Sequence, residues 1–584
     1  MPQDHIIGDR LPVKKATLRS YGYCVPYAVR FPVAAEAAGK RQQLKQKKAR
    51  RRPCLIIFKG QRSNGKRQRA WRKDKGQGDK MKVDVLVAEI GSTTTVVNAF
   101  TNIKTENPVF WAQGQAPTSV LEGDVCVGLQ GAIDDLCKTM NIDSLEYDEM
   151  LATSSAAGGL KMTVHGLVYD MTARAAKEAA LGAGGIIHYV TAGRLRRTDL
   201  QKIKEVKPNL ILIAGGVDYG ERETAIYNSE MIRSMGLSVP IIYAGNVENQ
   251  EEVKLIFDEE SGQKLYLVEN VYPKIDDLNV EPCRKVIQDA FEEHIVNAPG
   301  MEHVRDMVNG PIVPTPGAVM ECTKLLNECI GNLMVLDVGG ATTDLHSVTE
   351  DSDQIGRILV SPEPKAKRTV EGDLGVYVNK MKIIESIGEE EFKEEMQMMG
   401  IDVDQVLETY VAIPKTEDEI KLVERLAKEA VLKAVVRHAG QIRYVYGPSG
   451  RSTVAEGKDL TQVKYIVGTG GALTRLPHRV ELMQEIAKHN ETGLMLFPGQ
   501  HAEILVDNDY IMASLGVLSK KYKEATIKLL EKSLDFQFPK EKPAFGETKA
   551  TYKLELERLQ AEKEAKEAAY KAHVKEVKAQ GHKV

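Results

Sequence analysis

The chain has 584 residues, of which 42% are hydrophobic and 28% charged, a composition typical of a globular protein with about two to four domains. Its net charge at pH 7 is −3, and no run of 18 apolar residues occurs, so we expect no membrane span. Seven scattered cysteines without a CxxC pair argue against a disulfide framework or a zinc site and favour the reducing cytoplasm.

Residues 1–80 differ in character from the rest of the chain. They carry 22 Lys and Arg against 5 Asp and Glu and show no apolar periodicity, so we expect a basic, disordered extension. A strand-like pattern begins abruptly at Met81, which favours translation from that methionine. A transit peptide and a nucleic-acid-binding arm are the alternatives. The segment at 60–67 nearly matches a phosphate-binding loop, but Arg67 stands where Ser or Thr must hold magnesium.

From Met81 onward, short apolar runs alternate with longer amphipathic stretches, which predicts a parallel α/β fold. The strands predicted in the first half are at 83–91, 209–216, 240–246 and 264–271. The helices predicted there are at 129–140, 172–185, 221–236 and 249–262. We assign 81–185 to a first subdomain and 186–300 to an inserted α/β subdomain.

The second half continues the alternation. Its predicted strands are at 333–338, 357–361 and 463–471. A region rich in helices is predicted from about 374 to 445, and further helices are predicted at 479–489 and 507–520. We assign 301–520 to a second subdomain and 521–584 to a charged tail. Within that tail, 552–580 is rich in Ala, Glu and Lys, which predicts a solvated helix; a partner-binding helix is the alternative.

The stretch NLMVLDVGGATTDLHSV, residues 332–348, interrupts an apolar strand with glycines, hydroxyls and carboxylates. Glycines permit a tight turn whose backbone N–H groups can approach a phosphate closely, and the threonines add donors. Carboxylates can face a phosphate only through hydrated magnesium. A tight hairpin without a ligand is the alternative. The candidates in this turn are Asp337, Gly339, Gly340, Thr342, Thr343 and Asp344.

Three more segments follow related patterns. About 250 residues earlier, VAEIGSTTT at 87–95 supplies Glu89, Gly91, Ser92, Thr93 and Thr94. A late glycine turn, IVGTGGALTRLP at 466–477, supplies Gly468, Gly470 and Gly471. The segment RTVEGDLG at 368–375 supplies Glu371 and Asp373, which could orient water or magnesium; Asp373 could equally cap a helix.

Two strand–turn–strand loops followed by a late Gly-Gly turn resemble the actin, Hsp70 and sugar-kinase ATPase fold over residues 81–520. The resemblance implies a duplicated α/β fold that binds ATP or ADP, with Mg²⁺ held through water by Glu89 and Asp337. It also implies the catalytic candidates Asp337, Asp344, Glu371 and Asp373. In the first turn Glu89 replaces the usual Asp, and Val96 stands where a basic residue often follows. This departure favours slow hydrolysis or a nucleotide-binding switch over fast kinase chemistry.

The segments at 153–184, 212–220, 336–348 and 368–375 are similar to the GlmL/MutL family, which is distinct from the mismatch-repair MutL. Genes of this family neighbour those of adenosylcobalamin-dependent mutases and aminomutases, such as glutamate mutase and ornithine aminomutase. The resemblance implies a weak ATPase that acts as a reactivating chaperone for such an enzyme. A small-molecule kinase and a scaffold or filament protein are the alternatives. We expect neither membrane nor nucleic acid as a partner of the globular part.

The insertion resembles the sheet of a cobalamin-binding domain but lacks the Asp-x-His-x-x-Gly loop that would ligate cobalt. We therefore expect no directly held cobalamin. The insertion either imitates or displaces the partner's cobalamin domain, or it is an ordinary subdomain that completes the fold. His165 has no second ligand at metal spacing, so a core or loop histidine is expected.

Overall fold

The computed structural model describes residues 80–119, 124–155, 160–258, 262–295, 301–447, 450–490 and 493–539. The basic extension up to residue 79, with its near-match at 60–67, and the predicted tail helix at 552–580 lie outside the described residues. Within the described ranges, no helix has the length and apolar character needed to cross a membrane.

The described part of the chain alternates strands and helices. Its strands are β1 (Lys80–Ile90), β2 (Thr94–Thr101), β3 (Val109–Pro117), β4 (Ser144–Ser154), β5 (Lys161–Gly166), β6 (Ile186–Ala192), β7 (Leu210–Ile213), β8 (Ile241–Tyr243), β9 (Leu265–Leu267), β10 (Ile312–Pro314), β11 (Leu333–Val338), β12 (Thr343–Val348), β13 (Ala366–Glu371), β14 (Gln441–Gly447), β15 (Gly450–Glu456), β16 (Tyr465–Thr469) and β17 (Glu503–Val506). Its α-helices are α1 (Val125–Thr139), α2 (Arg174–Gly182), α3 (Arg197–Val206), α4 (Glu223–Ser234), α5 (Gln250–Ile256), α6 (Glu281–Ile295), α7 (Met301–Met307), α8 (Thr315–Ile330), α9 (Asp353–Gly356), α10 (Lys380–Ile387), α11 (Glu389–Met398), α12 (Val403–Thr409), α13 (Glu417–His438), α14 (Gly470–Arg475), α15 (Arg479–Lys488), α16 (Met512–Leu518) and α17 (Lys523–Ser533).

Two five-stranded sheets share one plan. Their strand orders are β3-β2-β1-β4-β10 and β13-β12-β11-β16-β17. In each sheet the first three strands pair as consecutive antiparallel neighbours, and the last two run parallel to the first strand. The repeated order confirms the predicted duplicated α/β fold class.

A third sheet lies between β4 and β10 in the chain. Its five strands are all parallel in the order β6-β5-β7-β8-β9, which is the 2-1-3-4-5 order of flavodoxin-like sheets. The sequence patterns predicted β7, β8 and β9 but not β5 or β6. Because β5 pairs with both β6 and β7, this sheet begins at Lys161, before the predicted boundary at residue 186.

Several predicted elements differ from the structure. The helix predicted at 249–262 is α5, which ends at Ile256, and the helix-rich region predicted to about residue 445 includes the start of β14. The predicted strand at 357–361 is wrong, because Leu359 makes only a single bridge with Ala455 and the segment packs as a loop. The predicted helix at 507–520 is shorter, since α16 begins at Met512 and the carboxylate of Asp507 accepts hydrogen bonds from the backbone N–H groups at its start. Helix α17 follows and buries Leu529 and Leu530 in the core.

Close contact between α8 and α16 joins the two ATPase-like sheets through one buried core. This core includes Val85 from β1, Val335 from β11 and Leu515 from α16. A Cβ atom added at Gly516 would lie 1.9 Å from the backbone oxygen of Ala318, so only glycine permits this approach.

We expect Gly516→Ala to lower the free energy of unfolding by at least about 2 kcal/mol, because the clash involves backbone atoms of a packed helix. Chemical denaturation monitored by circular dichroism measures this change. The matched control is Gly356→Ala at the end of α9, where an added Cβ would meet no atom within 4 Å. Equal stability of the two variants would contradict the proposed close contact.

Candidate functional site

Strands β1 and β11, each the first strand of its sheet along the chain, end in turns with the same hydrogen bond. The N–H of Gly91 donates to the oxygen of Thr94 at 3.0 Å, and the N–H of Gly339 donates to the oxygen of Thr342 at 2.9 Å. A Cβ at Gly91 would lie 2.6 Å from the Thr94 oxygen, so the turn requires glycine. Both turns therefore present backbone and hydroxyl groups at corresponding sheet edges.

The third glycine turn approaches the second from the side. Strand β16 runs parallel to β11 and places Thr469 beside Asp337. Gly470 follows with a φ of +82°, and a Cβ there would lie 2.4 Å from Oδ1 of Asp337 and 2.6 Å from the nitrogen of Val338. Only glycine lets the chain pass this close to the Asp337 carboxylate.

A cavity of about 440 Å³ opens between these turns. The predicted residues that line it are Glu89, Gly91, Ser92, Thr93, Thr94, Asp337, Gly339, Gly340, Thr342, Asp344 and Gly471. Three other predicted residues lie behind the wall. The hydroxyl of Thr343 is buried and donates to the backbone oxygen of Leu374 at 2.8 Å. Gly468 packs against Met483, and Gly470 packs against the carboxylate of Asp337. Ser154 and Ser155, at the start of the small-residue stretch, also line the cavity.

Glu371 and Asp373 lie outside this lining. Both bind Arg437 on α13, whose Nη1 donates to Glu371 at 2.6 Å and to Asp373 at 2.7 Å. The Arg437 hydrogen bond lowers the pKa of Asp373, whereas burial raises the pKa of Glu371. That these acids orient water or magnesium stays a prediction, and the motifs gave no signal of their pairing with Arg437, which lies 66 residues after Glu371 and 64 after Asp373.

Glu89 is held firmly at one oxygen. Its Oε1 accepts hydrogen bonds from Nδ2 of Asn98 at 3.1 Å and from the backbone N–H of Ser514 at 3.0 Å, and the Ser514 hydroxyl also donates to it. Burial nevertheless raises the pKa of Glu89 to about 7, although the Ser514 hydrogen bonds oppose the shift. Neither Asn98 nor Ser514 belongs to a glycine turn, so the motifs gave no signal for them.

Asp337 is perturbed in the same direction. Burial, and then the nearby charges of Asp344 and Glu89, raise its pKa to about 7. Across the described ranges, no protein donor makes a hydrogen bond to the Asp337 carboxylate. Removing charge from water without a partner is costly, so this carboxylate favours a cation or a proton.

These carboxylates fit a hydrated magnesium better than a directly ligated metal. In the described part of the chain, no three His, Cys, Asp or Glu side chains are grouped so that they could hold a metal ion. Magnesium retains several waters and binds phosphate oxygens with one or two carboxylates. Glu89 and Asp337, whose pKa values are raised to about 7, have the chemistry of that donor set.

A buried ion pair that the motifs did not reveal supports the second turn. Arg368 on β13 is 1% exposed, and its Nε and Nη2 donate to Oδ1 of Asp344 at 2.9 and 2.5 Å. The hydroxyl of Thr342 donates to the other oxygen of Asp344 at 3.0 Å. Strand pairing places residue 344 opposite residue 370, so the arginine reaches Asp344 from a diagonal position. The carboxylate of Asp344 is therefore held in place by three hydrogen bonds.

Apolar side chains also line the cavity. The rings of Tyr377 and Tyr410 lie 5.5 Å apart, and the ammonium group of Lys380 lies over both. Tyr377 adjoins the second turn, because its N–H donates to the oxygen of Gly340 at 2.9 Å. Further apolar residues of the lining are Ile413, Pro414, Ile420, Val423, Ala472, Leu476 and Pro477. A lining with both polar and apolar groups suits a ligand that carries both phosphate and a flat ring.

His165 is a core residue, as expected. It is buried in the inserted sheet, where its ring nitrogens lie 2.8 Å from the hydroxyl of Thr191 and 3.0 Å from that of Thr163. Burial lowers its pKa to about 3, so the ring is neutral at physiological pH.

The duplicated sheets and paired glycine turns define the actin-like ATPase class of fold. The family model described as "MutL protein" matches residues 85–534. A curated relative, "Protein MutL" of Clostridium tetanomorphum, is 36% identical over 461 residues, which are 77% of this chain and 98% of the relative. The chain therefore belongs to the MutL protein family.

Several solved structures show a weaker likeness. Glycerol dehydratase reactivase has 12% identity and a TM-score of 0.28, covering 74% of this chain and 99% of its own. The nucleotide-free diol dehydratase-reactivating factor has 12% identity and a TM-score of 0.29, covering 75% and 99%. Xylulose kinase from Lactobacillus acidophilus has 11% identity and a TM-score of 0.29, covering 84% and 99%.

The raised pKa of Glu89 predicts a pH-dependent effect of Glu89→Gln. The folded protein holds this proton up to about pH 7, whereas an ordinary carboxyl releases it near pH 4.5, so wild-type stability falls as the pH rises between these values. Gln carries no charge to desolvate. We expect the variant to gain stability relative to wild type by on the order of 3 kcal/mol between pH 4 and pH 8.

Denaturation midpoints across this pH range test the expectation in the absence of nucleotide. Glu106→Gln is the control, because Glu106 is exposed and Lys528 lowers its pKa. A stability difference between Glu89→Gln and wild type that stayed constant with pH would contradict the shift.

Proposed function

We propose that the chain binds ATP with magnesium in this cavity and uses the bound nucleotide to reactivate an adenosylcobalamin-dependent mutase or aminomutase. One observation carries the nucleotide assignment: two turns with the same Gly N–H to Thr oxygen bond line one cavity in which Glu89 and Asp337 have raised pKa values. The backbone N–H groups and hydroxyls of the turns would hold the phosphates. The apolar part of the lining would hold the base.

Bound magnesium would supply the positive charge that lets phosphate lie beside carboxylates. The residues of the chain would orient it: Glu89 is fixed by Ser514, and Asp337 is fixed by the close passage of Gly470. ATP, ADP and Mg²⁺ are therefore the proposed ligands, and cobalamin is not proposed as a ligand of this chain.

The pairing of the acidic groups favours a nucleotide switch over a small-molecule kinase. A kinase needs a general base aimed at its acceptor. Asp344 accepts from Arg368, and Glu371 and Asp373 accept from Arg437, so each of these three candidates is already ion-paired. Pairing to Arg437 lowers the pKa of Asp373 and makes it a weaker base, and the ion pairs hold Asp344 and Glu371 in place. Slow hydrolysis by water fits this arrangement better than rapid transfer to an acceptor.

The reactivating role rests on family membership and on the inserted sheet. The MutL family implies an association with cobalamin-dependent mutases, and the insertion has the strand order of flavodoxin-like sheets. In such sheets the loops at the carboxyl ends of the strands form the recognition edge. Here those loops expose Tyr169, Tyr219, Val247 and Ile275.

Hydrogen bonds hold this recognition edge rigid. Asp218 accepts from the N–H of Val247 at 3.0 Å and from Nδ2 of Asn270 at 2.9 Å, which joins three loops. Tyr219 has a φ of +62° and is 79% exposed, while its N–H donates to Asn246 at 3.1 Å. A strained backbone beneath an exposed aromatic side chain is typical of a contact site.

The edge also carries exposed charges of both signs. Its exposed carboxylates are Asp170, Glu221, Glu248, Asp276 and Asp277, and its exposed basic residues are Arg194, Arg196, Arg197, Arg222 and Lys274. We therefore propose that it binds a mutase subunit whose contact face has charges of both signs around an apolar centre. Imitation or displacement of the mutase's cobalamin domain would follow from this contact, as the shared sheet type suggests.

Titration calorimetry and phosphate release on the full chain test nucleotide binding. We expect saturable MgATP binding with turnover well below that of a kinase, and at least about tenfold weaker binding by Asp337→Ala. Asp148→Ala is the control, because Asp148 pairs only with Lys82 at an exposed site on β4. No MgATP binding by the wild type would rule out the nucleotide assignment.

Mutase rescue tests the reactivating role. Glutamate mutase and ornithine aminomutase, each inactivated by bound hydroxocobalamin, are incubated with the chain, MgATP and free adenosylcobalamin. We expect rescue of one enzyme and at least about a tenfold loss of rescue by Tyr219→Ser with ATP turnover retained. Tyr446→Ser is the matched control, since Tyr446 is 76% exposed on the separate β14–β15 hairpin. Rescue of neither enzyme would argue against this partner class.

A further inference from the structure

One guanidinium group joins the cavity wall to the inserted sheet. Besides Asp344, Arg368 binds two backbone oxygens: its Nη1 donates to Leu181 at 3.0 Å and to Gly185 at 3.4 Å. Leu181 lies in the last turn of α2, and Gly185 immediately precedes β6. The same side chain therefore contacts an acid that lines the cavity and the junction between α2 and β6 in the insertion.

Helix α2 is attached to the second subdomain along its whole length. Arg174 at its start binds Ser361 and Glu363, which precede β13. In its middle, the oxygen of Glu178 accepts from Arg284, which also donates to the oxygen of Ala366 at 2.7 Å. Displacement of β13 would therefore carry α2 with it.

Arg368 differs from Arg174 and Arg284 because it also touches the cavity. Arg284 is equally buried and joins the same helix and strand, yet its partners are Glu281 and backbone oxygens. In Arg368 the bonds to Asp344 and to the α2–β6 junction share a planar group whose donors have fixed directions. Rotation of this group toward one partner changes its bonds to the other.

The charge of a ligand bound at the second glycine turn must act on the guanidinium group of Arg368. Asp344 lines the cavity, so bound phosphate or magnesium alters the charge that Asp344 and Arg368 experience. Arginine cannot lose its proton, and a buried guanidinium without its acid is strongly destabilised. The response available to Arg368 is a change in geometry, which the oxygens of Leu181 and Gly185 would register.

We infer that the Asp344–Arg368 pair couples nucleotide occupancy of the cavity to the inserted sheet through the α2–β6 junction. This inference rests on the proposed nucleotide binding and assigns Arg368 a positioning and coupling role. Because α2 connects β5 to β6, the coupling reaches two neighbouring strands of the sheet whose loops form the recognition edge. Such coupling requires that the hydrogen bonds of Arg368 differ between the nucleotide-bound and the nucleotide-free protein.

Hydrogen exchange measured by mass spectrometry on the full chain tests the coupling. The reporters are the amides of Ala183 and Gly185, each of which donates to a backbone oxygen of α2. Gly184 is left out because it lines the cavity, where a ligand would alter its exchange by direct contact. In the wild type, saturating MgATP should change the exchange rate of the two reporters by at least about threefold. Arg368→Lys, which keeps the charge but loses the planar fork, should lose this change at a MgATP concentration that saturates the variant.

Arg284→Lys is the matched control and should retain the response. Calorimetry on the same samples separates the two proposals. If the wild type binds MgATP without an exchange change, or if Arg368→Lys keeps the change, the coupling is wrong while the nucleotide assignment stands. If the wild type binds no MgATP, both fail. Should Arg368→Lys not fold, Asp344→Asn at saturating MgATP replaces it, and an unaltered response would again overturn the coupling.

Discussion

Desolvation of carboxylates is the constraint on which this cavity depends. Glu89 and Asp337 come from the first strands of two different sheets, and burial together with neighbouring acids raises both pKa values to about 7. Asp344, by contrast, is paired with Arg368, at the cost of its freedom to act as a base. The remaining acids are poised to take up either protons or a cation, so the site gains most from a ligand that brings magnesium with it.

The duplicated fold explains how these acids come together. In each sheet the first strand ends at a glycine turn, and the parallel fourth strand lies beside it. The two five-stranded sheets thus each contribute one acid, Glu89 or Asp337, to the lining of a single cavity. The close passage of Gly470 and the packing of Gly516 against Ala318 then fix the two units, because larger residues would collide with backbone atoms at both places.

Short sequence motifs predicted the features of the site that depend on neighbouring residues in the chain. Glycine turns after apolar strands identified part of the cavity lining, including Glu89, Asp337 and Asp344, since tight turns need particular residues at particular spacings. Partners that arrive from distant elements gave no such signal: Arg437 withdraws Asp373 from the cavity, and Ser514 holds Glu89. The short strand β5 was missed because its six residues, KMTVHG, include only two large apolar side chains, Met162 and Val164, so the strand is defined mainly by its neighbours in the sheet.

The ion pair between Asp344 and Arg368 argues against a kinase and favours a nucleotide-dependent switch. An arginine that holds one acid in place costs the site a general base, yet it gives the fold a charged group that contacts two structural units at once. Arg368 lies where the second hairpin, α2 and the start of β6 meet. A chain selected for rapid group transfer gains nothing from burying its arginine there. A chain that must change how an inserted domain meets a partner, once for each nucleotide bound, gains a direct physical connection between the two events.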